Sequence, residues 1–375
     1  MGRRVALGLI IGVITLALAL YGVPLGELYD ALAAMDKRWL LPVALVFLGQ
    51  QALRSLRQML IVRAVVPGSS FRGNFAVLCM SFFCINVLPA RLGEVVRPTL
   101  LMQREGVPLG AGFGVVFVER LVDLVAVLVV LQLVLMGVAI PSRLVPFGDG
   151  SLDIAAVGQD LGSLLVLPLL VGLVGLLVLG DRAVGIAQRA SASLLGSLPE
   201  GRVRSLAARI SGAILGLAGG FVTGLAAVRQ PARIAAIAGL TALTWSGTGF
   251  MYVMLAHAFG LEDLIGWGQG MGVLVITMLG TMVPAPPGFA GVYEAACRGA
   301  LALFGVHGPG LDAKALAFAL VVHWWIFLVQ SATASYFFST EGVSIAALWR
   351  QSRGAVGPPP TGDAGESRTP AGPSP

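Results

Sequence analysis

The sequence predicts an all-α polytopic membrane protein with about eight hydrophobic helical segments. Two of these are broken by proline and glycine into re-entrant hairpins, within an inverted-topology repeat. Three observations carry this fold class. Of 375 residues, 57% are hydrophobic and only 12% charged, a mixture too apolar for a surface that faces water. Runs at 5–21, 39–53, 125–140, 164–179, 234–256 and 316–338 approach or exceed the roughly 20 residues that cross a bilayer as a helix, the form that satisfies backbone groups in lipid. Two further apolar segments, 75–88 and 271–283, each run into a proline- and glycine-containing break followed by a second short helix.

Taken in order, Arg3 and Arg4 ahead of the apolar stretch 5–21 imitate a signal peptide. We read this stretch as an uncleaved first span, because six later apolar segments commit the chain to the membrane anyway. The second span ends at Arg54 and Arg57, which are expected to snorkel to the interface. The first broken segment runs from 75–88 into Pro89-Ala90-Arg91-Leu92-Gly93-Glu94, and the second from 271–283 into Pro284-Ala285-Pro286-Pro287-Gly288-Phe289. Proline removes a donor and glycine lets the chain reverse. Pro89, Gly93, Pro286, Pro287 and Gly291 are therefore the expected hinges. At 210–228, Ile210, Ile214, Leu217 and Phe221 share one helical face between Arg209 and Arg229, which suggests a cytoplasmic-surface amphipathic helix. The Pro-, Gly-, Ser- and Thr-rich stretch 351–375 is expected to be a disordered cytoplasmic tail.

Arginine and lysine favour cytoplasmic loops. Arg3 and Arg4, then Arg54 to Arg72, Arg104, the arginines of 181–233, and Arg350 onwards mark one side. Segments 24–38, 141–162, 257–266 and 305–314 are acidic or nearly neutral and fall on the other. Both termini are then cytoplasmic, in a cell (inner) membrane. The expected organisation is an integral membrane domain over 1–340, with repeat-like halves of about 5–140 and 163–338 and a cytoplasmic insert at 181–233. Trp39 and Ile234 lie 195 positions apart, and Glu94 and Glu294, like Val115 and Ala315, lie 200 apart. With the loop charges, this offset makes the halves inverted copies, an arrangement whose matched breaks point to a central binding site in transporters.

The net charge of +6 does not indicate nucleic acid, since the basic residues are scattered between spans and form no stripe with interleaved aromatics. Cys79, Cys84 and Cys297 lie in apolar segments without a CxxC pair and read as small core residues. No metal or cofactor is implied.

Arg91, Glu94, Arg97, Glu119, Arg120, Asp123, Glu294, Arg298 and His323 lie in or beside apolar segments, where an ionised group costs about 2.5–3.5 kcal/mol on insertion scales. Spacing offers local partners: Glu94 with Arg97, Arg120 with Asp123, and Glu294 with Arg298. Short helices starting near Gly93 and Gly291 would aim their N-terminal N–H groups inward as an anion site, with Arg91, Arg97 and Arg298 close by. His323, beside Trp324 and Trp325, reads as an aromatic-belt neighbour, with proton carriage as the alternative.

The segments Asn86-Val87-Leu88-Pro89-Ala90-Arg91-Leu92-Gly93-Glu94-Val95-Val96-Arg97-Pro98, Glu119-Arg120-Leu121-Val122-Asp123 and Pro286-Pro287-Gly288-Phe289-Ala290-Gly291-Val292-Tyr293-Glu294 resemble the lysylphosphatidylglycerol synthase transmembrane-region family, also called flippase-like proteins. The resemblance covers roughly residues 4–338. It implies a lipid-translocating unit, which in the full-length synthases precedes a cytosolic aminoacyl-transferase domain. No such domain follows residue 338 in this sequence, so lysine transfer is not carried over.

The expected function is movement of an anionic phospholipid or isoprenoid-linked lipid between leaflets. Arg91 and Arg97 would hold the phosphate, and Glu94 and Glu294 would orient them or exchange with cargo. Glu119, Arg120, Asp123, Gly288 and Arg298 would complete the substrate site. The alternative is a membrane-embedded lipid or glycolipid transferase, or an accessory subunit of an envelope-lipid enzyme. The absence of HExxH, Gly-x-Ser-x-Gly and Walker motifs from the sequence weighs against an enzyme. A homo-oligomer or an envelope-biosynthesis enzyme is the expected protein partner.

Overall fold

A computed structural model describes residues 10, 12–17, 19–87, 93–141, 144–147, 150–197, 201–225, 230–282 and 286–344. Pro89 and Arg91, together with the tail beyond residue 350, lie outside the described residues. Helical turns at 12–17 and 19–20 precede α1 (Leu25–Ala34), a 3-10 turn (Lys37–Trp39), α2 (Leu40–Val62), α3 (Phe71–Val87), α4 (Gly93–Glu105) and α5 (Leu109–Gly137). A small antiparallel hairpin, β1 (Leu144–Phe147) with β2 (Gly150–Asp153), leads into α6 (Ile154–Ser197) and α7 (Arg202–Gly224). The chain then forms α8 (Pro231–Ala258), α9 (Trp267–Gly280), a 3-10 turn (Pro287–Phe289), α10 (Val292–Leu303) and α11 (Leu311–Thr340). The body is an all-α polytopic membrane protein. The hairpin between α5 and α6 is a β element that hydropathy gave no reason to expect.

The order long helix, short apolar helix, break, short helix, long helix occurs twice, as α2–α5 and as α8–α11. Corresponding starts are Leu40 and Pro231, Phe71 and Trp267, Gly93 and Val292, and Leu109 and Leu311. Their separations are 191, 196, 199 and 202, so the two runs drift by only a few residues per element. The short helices α3, α4, α9 and α10 contain 17, 13, 14 and 12 residues. At 1.5 Å per residue each measures about 18–26 Å, less than the ~30 Å hydrocarbon core.

Equivalent helices α2 and α8 run antiparallel. Asp36 N–H donates to the Ala258 carbonyl at 2.9 Å, Trp39 stacks on His257 at 5.4 Å, Gln50 donates to Thr248 at 2.8 Å and Arg57 to Thr241 at 3.0 Å. Adding 191 carries Gln50 onto position 241 and Arg57 onto position 248, so the last two contacts are reciprocal, as across a two-fold axis. The outer contacts repeat the exchange: α3 meets α11 through Phe75 and Phe337, with ring centroids 5.6 Å apart, and α9 meets α5 where Gly272 faces Val134.

Loops sort to two ends of the bundle. At one end Arg104 pairs with Glu341 at 2.6 Å, and Glu105 accepts from Ser69 Oγ at 2.5 Å and from Ser70 N–H at 2.9 Å. The start of α3 and the end of α4 therefore lie together. Their inner ends are also close, because a Cβ on Gly93 would collide with the backbone of Ile85. At the opposite end, Gly268 packs on Val138 at the start of α9, and Arg298 reaches Tyr21 and Asp312. Each pair of short helices is thus a hairpin, and the two hairpins open at opposite ends.

Helix α6, with 44 residues, measures about 66 Å, more than twice a hydrocarbon core. Helix α7 is long and apolar enough to cross a membrane, yet it runs parallel to α5 and docks only its second half. Gly220 and Gly224 abut Gly110, Ala111 and Gly114, and Phe221 meets Phe117 at 5.1 Å. Ile210, Ile214 and Leu217 are exposed, and the contact with α5 is made by Gly220 and Gly224 together with Phe221. Small residues let backbones approach, whereas an apolar side chain gains little by leaving lipid.

Candidate functional site

The membrane-buried charges gather where α2, α3, α4, α5 and α8 meet. Arg97, on α4, places Nη2 2.6 Å from Glu119 Oε2 on α5, and both side chains are at most 3% exposed. Its Nε and Nη2 donate to Gln58 Oε1 at 2.9 and 2.6 Å. Gln58 in turn donates to Asn74 Oδ1 at 3.1 Å, and Asn74 donates to Ser69 at 2.7 Å. Among the described residues neither Glu119 oxygen has a well-aligned hydrogen-bond donor, so the Arg97 contact is chiefly ionic. Asp123 takes a two-pronged contact from Arg57 at 2.7 and 3.0 Å, the geometry that suits a planar guanidinium. Glu94 meets Arg120 at 2.8 Å, with side chains 34% and 42% exposed. This is the accessible pair of the layer.

These contacts replace the pairings that helix spacing suggested. Glu94 goes to Arg120 instead of Arg97, Asp123 to Arg57 instead of Arg120, and Glu294 to His323 instead of Arg298. Spacing of three or four makes a local pair possible, but helices packed together offer straighter approaches and deeper burial. Arg57 is 2% exposed and does not snorkel. Arg54, one turn earlier, is half-buried. Its guanidinium sits over Phe82 at 5.5 Å, and Arg97 approaches the same ring at 5.4 Å.

A different set of polar groups gathers at the second break. Pro286 is buried, Gly288, Phe289 and Gly291 have φ of 71°, 57° and 82°, and the turn Pro287–Phe289 leads into α10. Two of these three left-handed positions are glycine, which carries no Cβ penalty there. The segment around residues 12–16 crosses the break so closely that a Cβ on Gly291 would strike Gly12 O and Leu16 N. Glu294, fully buried, accepts from Gly291 N–H at 2.7 Å and lies 2.8 Å from His323 Nδ1. His323 stacks on Tyr293 at 4.4 Å, and Tyr293 OH is 2.5 Å from Tyr252 OH. His323 therefore faces the interior, and the aromatic-belt reading is corrected. Arg298 is also reassigned. It donates to the carbonyls of Ala19 and Tyr21 at 2.8 and 2.9 Å and to Asp312 at 3.2 Å, closing the end of the first helical segment, away from the first ionic layer.

Sequence reasoning missed Gln51, Gln58, Asn74, Gln330, Tyr252 and Tyr293. Gln51 donates to Gln330 at 2.7 Å, and Gln330 donates to the Cys79 carbonyl at 2.9 Å. Gln330 stands two helical turns from His323 on α11, about 10 Å along one face, and so links the two polar regions. The available signal was the stripe Gln50, Gln51, Arg54, Ser55, Arg57 and Gln58 on an otherwise apolar span.

Paired helical hairpins opening at opposite ends, around a buried ionic layer, define a multi-pass membrane protein with an internal polar site. The chain belongs to the lysylphosphatidylglycerol synthase transmembrane-region family, whose profile matches residues 5–334. It is similar to a protein named glycosyltransferase AglD from Haloferax volcanii, with 26% identity over 343 residues, covering 86% of this chain and 52% of that protein. The chain thus spans about half the length of that curated relative. No solved structure matches it.

Proposed function

We propose that this protein moves an anionic lipid, a phospholipid or an isoprenoid-linked phosphate, between the leaflets of a cell membrane, with both termini cytoplasmic. The observation that carries the reading is the ionic layer of α2, α4 and α5, built in part on the second helix of the first hairpin. Charges inside a membrane protein are costly and mark pathways and binding sites. Family membership supports lipid handling as the setting. The antiparallel, reciprocal contacts of the two helix runs fit transporters in which inverted repeats rock around a central site. In this reading the hairpins are re-entrant and Glu94–Arg120 is the pair that opens to cargo. The protein performs no covalent step.

The test is reconstitution of the full chain into liposomes carrying a fluorescent anionic phospholipid and addition of a membrane-impermeant quencher. The expected result is accelerated loss of inner-leaflet fluorescence, reduced by Arg120→Ala. Equal rates with and without protein, for both phosphatidylglycerol and a polyprenyl phosphate, would overturn it. Orientation is tested with single cysteines at the exposed positions Gly68 and His307, after replacement of the native three. Gly68→Cys is expected to label from the cytoplasm and His307→Cys from outside.

A second reading draws on the relative named as a glycosyltransferase: the domain serves a lipid-linked sugar transferase, either as its lipid-presenting part or as its accessory. Product formed from a polyprenyl-phosphate sugar by the purified chain would favour this reading over transport.

A further inference from the structure

The ionic layer has a charge that its own residues do not answer. Arg54, Arg57, Arg97 and Arg120 face Glu94, Glu119 and Asp123, four cations against three anions among the described residues. Three cations are committed: Arg57 to Asp123, Arg97 to Glu119 and Arg120 to Glu94. Arg54 is the remainder. Among the described residues its guanidinium has no carboxylate within ion-pair distance and donates no hydrogen bond. Its recorded contact is the face of Phe82, a ring that also carries Arg97.

Arg54 lies between Gln50 and Arg57 on the face of α2 that turns toward α8 and α5, as the contacts of Gln50 with Thr248 and of Arg57 with Asp123 and Thr241 establish. It lies within electrostatic reach of Asp123 and of Arg57, Arg120 and Arg97, a net positive surrounding that favours a further anion. The ring holds the side chain while its planar fork of five N–H donors stays unspent. The residue as a whole is half-buried, so its side chain keeps some exposure.

We propose that Arg54 binds the phosphate of an anionic membrane lipid, completing the charge of the layer. This rests on the lipid-transport reading and gives that reading its phosphate contact. The phosphate role that sequence assigned to Arg97 moves to α2, because Arg97 is already engaged by Glu119 and Gln58. A phosphate at Arg54 would accept two parallel hydrogen bonds and leave the Arg57–Asp123 and Arg97–Glu119 pairs intact.

The test is binding, measured on the full chain in neutral detergent by native mass spectrometry and lipid-induced thermal shift. The probes are dioleoyl phosphatidic acid, dioleoyl phosphatidylglycerol, dioleoyl phosphatidylcholine and inorganic phosphate. The wild-type protein is expected to prefer the two anionic lipids. Arg54→Gln is expected to weaken them by at least about tenfold, as for a lost charge-assisted hydrogen bond. Its lipid-free melting temperature should be unchanged or raised, because no hydrogen bond is lost and repulsion falls. Arg54→Lys, which keeps the charge without the fork, should fall between. Equal anionic-lipid binding by wild type and Arg54→Gln would overturn the assignment. So would a lipid-free melting temperature lowered in both variants, the mark of a structural arginine. Equal thermal shifts with inorganic phosphate alone would overturn the lipid as the ligand. If Arg54-dependent binding holds while reconstituted wild type moves no lipid, the site stands and the transport reading fails.

Discussion

The regions beside the two breaks share an order of helices and differ in chemistry. Around the first, four arginines and three carboxylates from α2, α4 and α5 form a layer with an accessible edge at Glu94 and Arg120. Around the second, one carboxylate, one imidazole and two phenols close on each other, and the nearby guanidinium of Arg298 is diverted to Ala19 and Tyr21. The segment at residues 12–16 lies across the second break. A helix placed ahead of the first repeat thus covers the second. Two regions with a like order of helices thus differ: one keeps an accessible charged pair and the other encloses its polar groups. The sequence-matched glutamates follow the same division: Glu94 is one-third exposed, while Glu294 is completely buried.

The largest effect that can break this contrast lies in the first layer. Arg97→Ala strands Glu119 without its cation and Gln58 Oε1 without its donor. Removing one partner of a buried ion pair costs about 3–5 kcal/mol, so thermal unfolding in detergent should show a marked loss of stability. Arg97→Met combined with Glu119→Leu should recover most of it, since an apolar pair can replace a buried ionic one. If the single change is neutral, the layer is not a structural unit and the distinction between its committed arginines and Arg54 collapses.

At the second break, Glu294→Ala leaves the Gly291 N–H without an acceptor in a buried turn, a loss of about 2 kcal/mol. Glu294→Gln retains an acceptor for that N–H and a polar partner for His323. It should cost clearly less in the same unfolding assay. Equal losses for the two variants would mean that the negative charge, and not the hydrogen bond, holds this region. The second break would then resemble the first.

Gly291→Ala follows, at about 1–2 kcal/mol for an alanine forced to positive φ, with displacement of the segment at 12–16 as its particular consequence. Limited proteolysis near the N-terminus should accelerate in this variant, while Gly288→Ala, with open space around its Cβ position, should show the backbone strain alone. Equal proteolysis in both would deny that the first segment seals the break.

What the sequence made legible was local. Apolar run length, the second proline-glycine break and the offset near 200 all survive, because each depends on neighbours along the chain. Which charge meets which was not legible. Arg57 and Asp123 are 66 positions apart and His323 and Glu294 are 29 apart, so their pairing depends on helix packing. At 210–228 the contact with α5 was likewise not legible. The apolar periodicity picked out the exposed face of Ile210, Ile214 and Leu217 but not the small residues that meet α5. Gly110 and Gly114, spaced like Gly220 and Gly224, were the overlooked signal.

The smallest effect tests the symmetry beneath the contrast. Gln50–Thr248 and Arg57–Thr241 exchange places under the 191-residue offset, yet one is a neutral hydrogen bond and the other extends into an ion pair with Asp123. Interhelical hydrogen bonds within membrane domains average about 0.6 kcal/mol in double-mutant cycles. A cycle of Gln50→Ala with Thr248→Ala should return a coupling near that size. A cycle of Arg57→Ala with Thr241→Ala should return a similar value for the hydroxyl contact, although Arg57→Ala alone costs far more through stranded Asp123. Matching small couplings on unequal single losses would place the specialisation of the first half in its charges, laid over a contact that both halves inherit. Widely different couplings would mean that the two contacts are not equivalent, and the reciprocity of α2 and α8 would have to be abandoned.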